Sequence, residues 1–543
     1  MKHLLSVFVL ATFLFSSSSI VFAQKNKGTV IEKGTDEYKM FMAKQDFFAG
    51  DYRSAVNKYK EVMKNRPADA SVQYYIGECY FMMKEYNAAM DFLEKAKGMD
   101  PAVNESLGLT LGRTYLAKAM LDKALSELTA YKTAIASSPK KIEETEIDLY
   151  IAQSNTAKQL MAKPVNVTVI PLLEINSQFD DKGPVLTNDD KTLVFTSRRP
   201  SGDKSNMDKE GDFGYFDDVY ESYWSDEKKI WLQADMIRGP INSEGYDACN
   251  SISTDGQYMF IYRNDPTQAR GGEIFMAKKA SSGKWKTPEI LLKPINTSYY
   301  EDAACLSPDD NTIYFISERP GGLGRGDIWV SKKLASGLWA EPVNPGAPVN
   351  TPYDENGLYM FSDGKTLFFC SNGPASMGSH DIFRTTIAAD GKMSAPVNLG
   401  YPINSTTVES KFVLTQDKKT AYISSVRDSG IGERDIIMID VSGYNVFTGA
   451  NAAPAPAKST LNGKVMSAEG TAVAADITIM EKGSGSVAAM SKAGADGSFS
   501  VDFVGDKTYL LEVNSEGYQK ISEELSVPAG KTQTKNITLT KNN

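Results

Sequence analysis

Only two histidines, His3 and His380, occur in 543 residues, and that scarcity narrows the chemistry this chain can do. A Ser-His-Asp triad needs an imidazole beside its nucleophile, and a cleaved leader would leave His380 alone. His380 sits where equivalent repeats carry Asp217, Gly272, Gly326 and Arg434, so it reads as an ordinary loop residue. No G-x-S-x-G elbow occurs. The cysteines Cys79, Cys249, Cys305 and Cys370 form no C-x-x-C pair and are too few for a disulfide framework. They read as small buried apolar residues. With His and Cys this sparse, a catalytic zinc set cannot be grouped. Gly321-Gly322-Leu323-Gly324 and Gly483-Ser484-Gly485 lack the strand–helix setting of a phosphate loop. The expectation is a non-enzyme with no catalytic, cofactor-binding or metal-ligating residues.

Carboxylates are the remaining chemistry, and three sets recur on one ruler. Asp189, Asp255, Asp309, Asp363 and Asp417 follow turn signals and are expected to cap tight turns. Asp218, Glu273, Asp327, Asp381 and Asp435 each open a later strand. Arg199, Arg319 and Arg427 share one repeat position and are expected to pair with those openers. The third set, Asp181, Asp247, Glu301, Glu355 and Glu409, should lie where innermost strands begin, at one mouth of a channel. Five converging carboxylates would attract a cation or a Lys/Arg-bearing segment; alternatively, each caps its own strand. Glycoside hydrolysis needs two carboxylates of distinct role, and a near-symmetric ring gives no reason for two to differ.

The elements that must position these residues fall into three regions. From Asp36 to about Met161 apolar residues recur at helical spacing. Gly50-Asp51-Tyr52, Ala55, Tyr59 and Pro67 are answered 34 residues later by Lys84-Glu85-Tyr86, Ala89, Leu93 and Pro101. Gly77 and Tyr80 sit where paired helices need a small residue and an aromatic, and Gly112, Tyr115 and Ala124 begin a third copy ending near Pro139. These residues resemble tetratricopeptide repeats, with Lys141 to Met161 as a capping helix. Phe41, Phe47, Tyr75, Phe81 and Met82 are expected mostly in the core by spacing, beside a groove suited to a peptide or helix.

After Pro164 the period becomes that of strands. Pro240-Ile241-Asn242-Ser243 recurs at Pro294, Pro348 and Pro402, 54 residues apart, and Glu174-Ile175-Asn176-Ser177 is an earlier copy. Each unit holds about four strands, the content of a propeller blade. An orphan strand, Val165 to Glu174, can complete the last blade and close the ring. Ser307-Pro308-Asp309-Asp310 and Ser317-Glu318-Arg319-Pro320-Gly321-Gly322 to Asp327-Ile328-Trp329 resemble the WD40-like repeats of TolB-type propellers. The first unit differs by a longer loop, Ser201 to Asp217. Gly463-Lys464-Val465, Ala475 to Ile479, Gly497-Ser498-Phe499 and Tyr509 to Tyr518 resemble the carboxypeptidase-regulatory-like β-sandwich.

The expected organisation is a signal peptide (1–23), helical repeats with a capping helix (24–162), a five-bladed β-propeller (163–445), a Pro/Ala linker (446–459) and a small β-sandwich (460–543). The leader reads from Lys2, an apolar run Leu4 to Phe15, and cleavage after Ala23. No cysteine near that site marks a lipoprotein, and no later stretch has the apolar length of a membrane-spanning helix. Basic residues number 59 against 68 acidic, a net charge of −9. An acidic chain lacks the footprint that phosphate backbones require, so nucleic acid is not an expected partner.

This domain order resembles multidomain envelope proteins of Bacteroidetes-type bacteria, including an accessory component of type IX secretion. Many of those carry a further OmpA-like domain where this chain stops. The resemblance implies a periplasmic scaffold, not integral to the membrane, that binds envelope or outer-membrane proteins at assembly or secretion machinery. The alternative is a carbohydrate-binding or carbohydrate-active propeller using the acidic mouth and the aromatics Phe213, Tyr215 and Phe216. The helical repeats are expected to be separable from the propeller.

Overall fold

The computed structural model describes residues 35–136, 142–200, 207–208, 213–264, 272–451, 458–483 and 486–542. The expected signal segment, Pro139, most of the first-unit loop, the Pro/Ala stretch 452–457 and Ser484-Gly485 lie outside them. The chain divides into two compact units, 1–450 and 451–543.

Seven helices among the described residues open the first unit: α1 Asp36–Phe48, α2 Tyr52–Asn65, α3 Ala70–Met82, α4 Tyr86–Met99, α5 Leu107–Ala117, α6 Leu121–Ile135 and α7 Ile142–Met161. Thr35, Asp51 and Asp69 cap the first three by accepting from backbone N–H groups one turn on. Consecutive helices pack as hairpins. Gly77 has no substitute at its crossing: a Cβ there would sit 2.7 Å from Leu93 Cγ, and one at Gly112 would meet Leu128 equally closely. Tyr80 stacks on Phe92 at 5.7 Å. The small residues read from the repeat are thus steric requirements.

Five antiparallel sheets follow. The first holds β2 Asp181–Leu186, β3 Thr192–Ser197, β4 Asp218–Ser225, β5 Ile230–Trp231 and β6 Asp235–Met236, after a leading strand, β1 Thr168–Pro171. The second holds β7 Tyr246–Ile252, β8 Tyr258–Asn264, β9 Glu273–Lys278 and β10 Glu289–Ile290. The third holds β11 Glu301–Leu306, β12 Thr312–Ser317 and β13 Asp327–Lys332, its outer strand reduced to a bridge between Val330 and Val343. The fourth holds β14 Glu355–Met360, β15 Thr366–Ser371, β16 Asp381–Thr386 and β17 Val397–Asn398. The fifth holds β18 Glu409–Leu414, β19 Thr420–Ser425 and β20 Asp435–Asp440, and β1 completes it by pairing with β20, Ile170 opposite Met438.

The first strands β2, β7, β11, β14 and β18 are neighbours in that order, and β18 returns to β2. Apolar clusters fill the wedges between adjacent sheets. One joins Leu193 and Phe195 of the first sheet to Val413, Tyr422 and Ile436 of the fifth, and Trp231 Nε1 donates to Tyr422 Oη at 3.1 Å across the same seam.

The second unit is two antiparallel-rich sheets around one core that includes Leu461, Val465, Ile477, Ile479, Phe499 and Leu511. Alternating burial along Ser498–Val504 and Thr508–Asn514 gives each strand one inward face.

Candidate functional site

All five carboxylates of the third acidic set are at most 1% exposed. Each accepts hydrogen bonds from loops and strand ends that flank it within its own repeat. Ser177 N–H donates to Asp181 Oδ2 at 2.6 Å and Arg199 to Oδ1 at 2.7 Å. Asp247 takes Ser243 N–H and Oγ, and Arg263 Nε at 2.6 Å. Glu301 takes Thr297 N–H and Oγ1, Ser317 Oγ at 2.8 Å and Arg319. Glu409 takes Ser405 N–H and Oγ, Ser425 Oγ and Arg427 at 3.0 Å. None offers an open carboxylate to a channel ligand. The arginines therefore pair with this inner set rather than with the strand openers expected from sequence, because their guanidinium groups reach back across the hairpin to the start of the first strand. Arg263 does the same from a position two residues earlier than the repeat predicts.

Glu355 is the exception. It takes Thr351 N–H and Oγ1 and Ser371 Oγ at 2.9 Å, but Gly373 stands where its equivalents have arginine. Burial without a cation pushes its pKa up to about 7, against the lowering effect of those donors. A carboxyl with a raised native pKa contributes stability below its unfolded value that is lost as pH rises through the folded one. Urea midpoints are thus expected to fall between about pH 4.5 and 7. In Glu355→Gln that component should disappear from the profile, whatever the variant's absolute stability; an unchanged slope would contradict the assignment.

The repeat asparagines carry a role that spacing did not reveal. Asn296 Oδ1 accepts from Ile274 N–H at 2.9 Å while its Nδ2 donates to Ile274 O at 2.8 Å. Asn242, Asn350 and Asn404 grip Val219, Ile328 and Ile382 in the same two-bond way. Asn176 grips Ile436, 260 residues away, where the ring of sheets closes. A signal was present, since each asparagine lies at a fixed offset from an acidic–apolar pair. The turn aspartates cap as expected: Asp189, for example, accepts from Thr187 Oγ1 and Lys191 N–H.

His380 is partly buried, and burial pulls its pKa down to about 4, so the ring is neutral at pH 7. Its Nδ1 lies 3.3 Å from Ser379 Oγ, both on one loop. The four cysteines are free and buried, and burial pushes Cys79, Cys249 and Cys370 up to about 12. Among the described residues no three His, Cys, Asp or Glu are grouped to hold a metal ion. No helix of the described residues is long and apolar enough to cross a membrane.

The helical layer does not stand apart from the sheets. Gln153 of α7, 2% exposed, donates to Asn372 O at 2.9 Å, and Thr156 donates to Pro374 O at 2.9 Å. Lys118 forms a bidentate ion pair with Asp428 at 2.9 Å, and Thr406 Oγ1 donates to Ala117 O. The turn carrying Lys84 lines a cleft of about 620 Å³ with Arg427, Asp428 and Glu433 of the fifth sheet. The expected separability meets a shared interface here. Removing both Gln153 and Lys118 side chains should lower the protection of α5 and α7 amides against hydrogen exchange by about tenfold or more, leaving β14–β16 protected; equal protection in both layers would show that these contacts contribute little.

On the helices themselves, Phe47, Tyr75 and Phe81 pack on buried clusters as expected. Phe41 and Met82 do not: they are 52% and 43% exposed, and Phe48 is 62% exposed. Helical spacing puts all of them near the apolar stripe, but α2 and α4 cover only part of it.

Residues 49–103 match the tetratricopeptide repeat family model, and residues 460–540 match that of the carboxypeptidase regulatory-like domain. The chain is 29% identical over 102 residues to the BBSome complex member BBS4 of Bos taurus and, equally, of Mus musculus. That stretch covers 19% of this chain and 19% of those relatives, so the chain spans about a fifth of the curated relatives it matches. Among solved structures it is similar to the type III secretion translocator chaperone SycD of Yersinia enterocolitica, at 21% identity, 24% of this chain, 90% of that one and a TM-score of 0.22. The TPR2B domain of yeast Sti1 in its pHsp70 complex is similar at 22% identity, 22% and 95% coverage and a TM-score of 0.21.

Proposed function

We propose that this chain is a non-enzymatic scaffold whose tetratricopeptide repeats bind protein partners, mounted on a five-bladed β-propeller and followed by a regulatory-like sandwich. The observation that carries this reading is the repeat match over 49–103 together with large apolar side chains left exposed on α1 and α3, Phe41, Phe48 and Met82. Aromatic side chains in the open are the anchors on which protein interfaces concentrate their energy. The propeller reading rests on five sheets whose first strands form a closed cycle and on β1 completing the last sheet. The five inner carboxylates, each held by donors of its own repeat, support a non-catalytic role.

The proposed setting is the periplasm or the periplasmic face of the outer membrane of a Gram-negative bacterium, with envelope or outer-membrane proteins of assembly or secretion machinery as partners. Mass spectrometry of the protein from its native cell should find Gln24 as the first residue; an acylated or uncleaved N-terminus would contradict export by this route. The carbohydrate alternative working through Asp181, Asp247, Glu301, Glu355 and Glu409 has less support, because all five are buried and hydrogen-bonded within their own repeats. Loss of complex membership in a folded Phe41→Glu/Phe48→Glu protein tests the scaffold reading.

A further inference from the structure

The residue that follows each inner carboxylate faces a different fate from its neighbours. On the repeat ruler these positions are Lys182, Ala248, Asp302, Asn356 and Ser410. The flanking acid and the Asn-Ser/Thr motif keep their character in all five copies, yet these five share no chemical type. All five line one cavity of about 440 Å³, bordered by the first strands of the sheets, within the size range of small-molecule sites. A scaffold alone has no use for such asymmetry. An asymmetric ligand does.

The lining indicates its chemistry. Lys182 is paired with Asp217 at 2.9 Å and lies 3.3 Å from Asp180, and Arg434 Nε donates to Asp180 at 2.6 Å, so the cations at the mouth are matched. Lys411 is pinned by the carbonyls of Asn250, at 2.6 Å, and Leu358. Asp302, facing it, accepts from Tyr300 Oη at 3.2 Å. Asn356 Oδ1 is buried with no hydrogen-bond partner, an acceptor awaiting a donor. Tyr262 and Tyr300, 5.7 Å apart, supply aromatic wall. An anion would meet Asp302 and the Asn356 carbonyl; a cation would meet Lys182, Lys411 and Arg434. Hydroxyl groups, which both donate and accept, satisfy both sides, and pyranose faces stack on tyrosine.

We propose that this cavity is a binding site for a neutral saccharide of one or two rings. It uses residues distinct from the buried carboxylates and does not depend on the scaffold reading, so either can fail without the other. The test titrates the full chain with cellobiose, maltose and diacetylchitobiose, and with inorganic phosphate and putrescine as charged probes, by calorimetry. At least one neutral disaccharide should bind saturably, and Asn356→Ala and Asp302→Asn should each weaken it about tenfold, a loss of about 1.4 kcal/mol. Leu338→Ala, exposed and outside the cavity lining, should leave it unchanged. Should Asp302→Asn fail to fold, Asn356→Ala decides. The proposal is overturned if no neutral disaccharide binds, if only phosphate or putrescine binds, or if binding survives the Asn356 substitution at full strength.

Discussion

Glu409→Ala is expected to cost about 3–5 kcal/mol of unfolding free energy, because it strands the part-buried guanidinium of Arg427 and leaves the buried hydroxyls of Ser405 and Ser425 without their acceptor. Arg427 would keep its bonds to the carbonyls of Pro402 and Ile403 but lose its carboxylate, and Ser405 and Ser425 would lose their acceptor. Replacing both charged partners by apolar residues removes the stranded charge, so Glu409→Leu/Arg427→Leu should recover part of the loss. Urea unfolding followed by tryptophan fluorescence measures both; a single-variant loss below about 1 kcal/mol would place the pair among weak surface bridges. A joint Glu301 and Glu409 substitution would for the same reason unfold the sheets before it reported on any ligand.

Asn176→Ala is expected to cost about 2–5 kcal/mol, since it leaves a buried N–H and C=O of Ile436 unpaired. The effect should also be local. Asn296→Ala removes the same two bonds between residues only 22 apart in the chain, whereas Asn176 ties the segment that enters the sheets to the strand that leaves them. Hydrogen exchange in Asn176→Ala should therefore accelerate first in β1, β18 and β20, with β7–β9 protected. Uniform acceleration around the ring would mean that closure depends on β1 pairing and the Trp231–Tyr422 seam rather than on the asparagine.

Much of this architecture was legible because the repeat is regular. Isoleucine, asparagine, hydroxyl residue and acid recur at fixed offsets, and each offset corresponds to one contact: core, strand bridge, cap and buried acceptor. Gly77 and Gly112 were legible because a helix crossing at that distance excludes a Cβ. What sequence could not supply was the partner of each polar group. The arginines could be aligned to one another, but which acid they meet depends on how far a guanidinium reaches across a hairpin, and Arg263 arrives from two residues earlier. The five carboxylates looked like a mouth because their burial is set by donors from loops that only the fold brings around them. Gln153 lies in the capping helix, and Asp428 stands where other units have Pro200, Pro320 and Pro374, so the seat of the helices on the sheets left no repeating pattern. The cavity residues were hidden for the opposite reason: they are where the repeat stops repeating.

We propose that the helical repeats carry partner binding. It is tested most directly by cross-linking intact cells that carry the full-length protein or its Phe41→Glu/Phe48→Glu variant, then quantifying co-purified proteins. The account predicts that cross-links from the parent concentrate on α1–α4 and that the variant, melting at the parent's temperature, loses those partners by about 30-fold, as expected when a hot spot worth about 2 kcal/mol is removed. Recovery of the same partners at the same yield by the folded variant would contradict it.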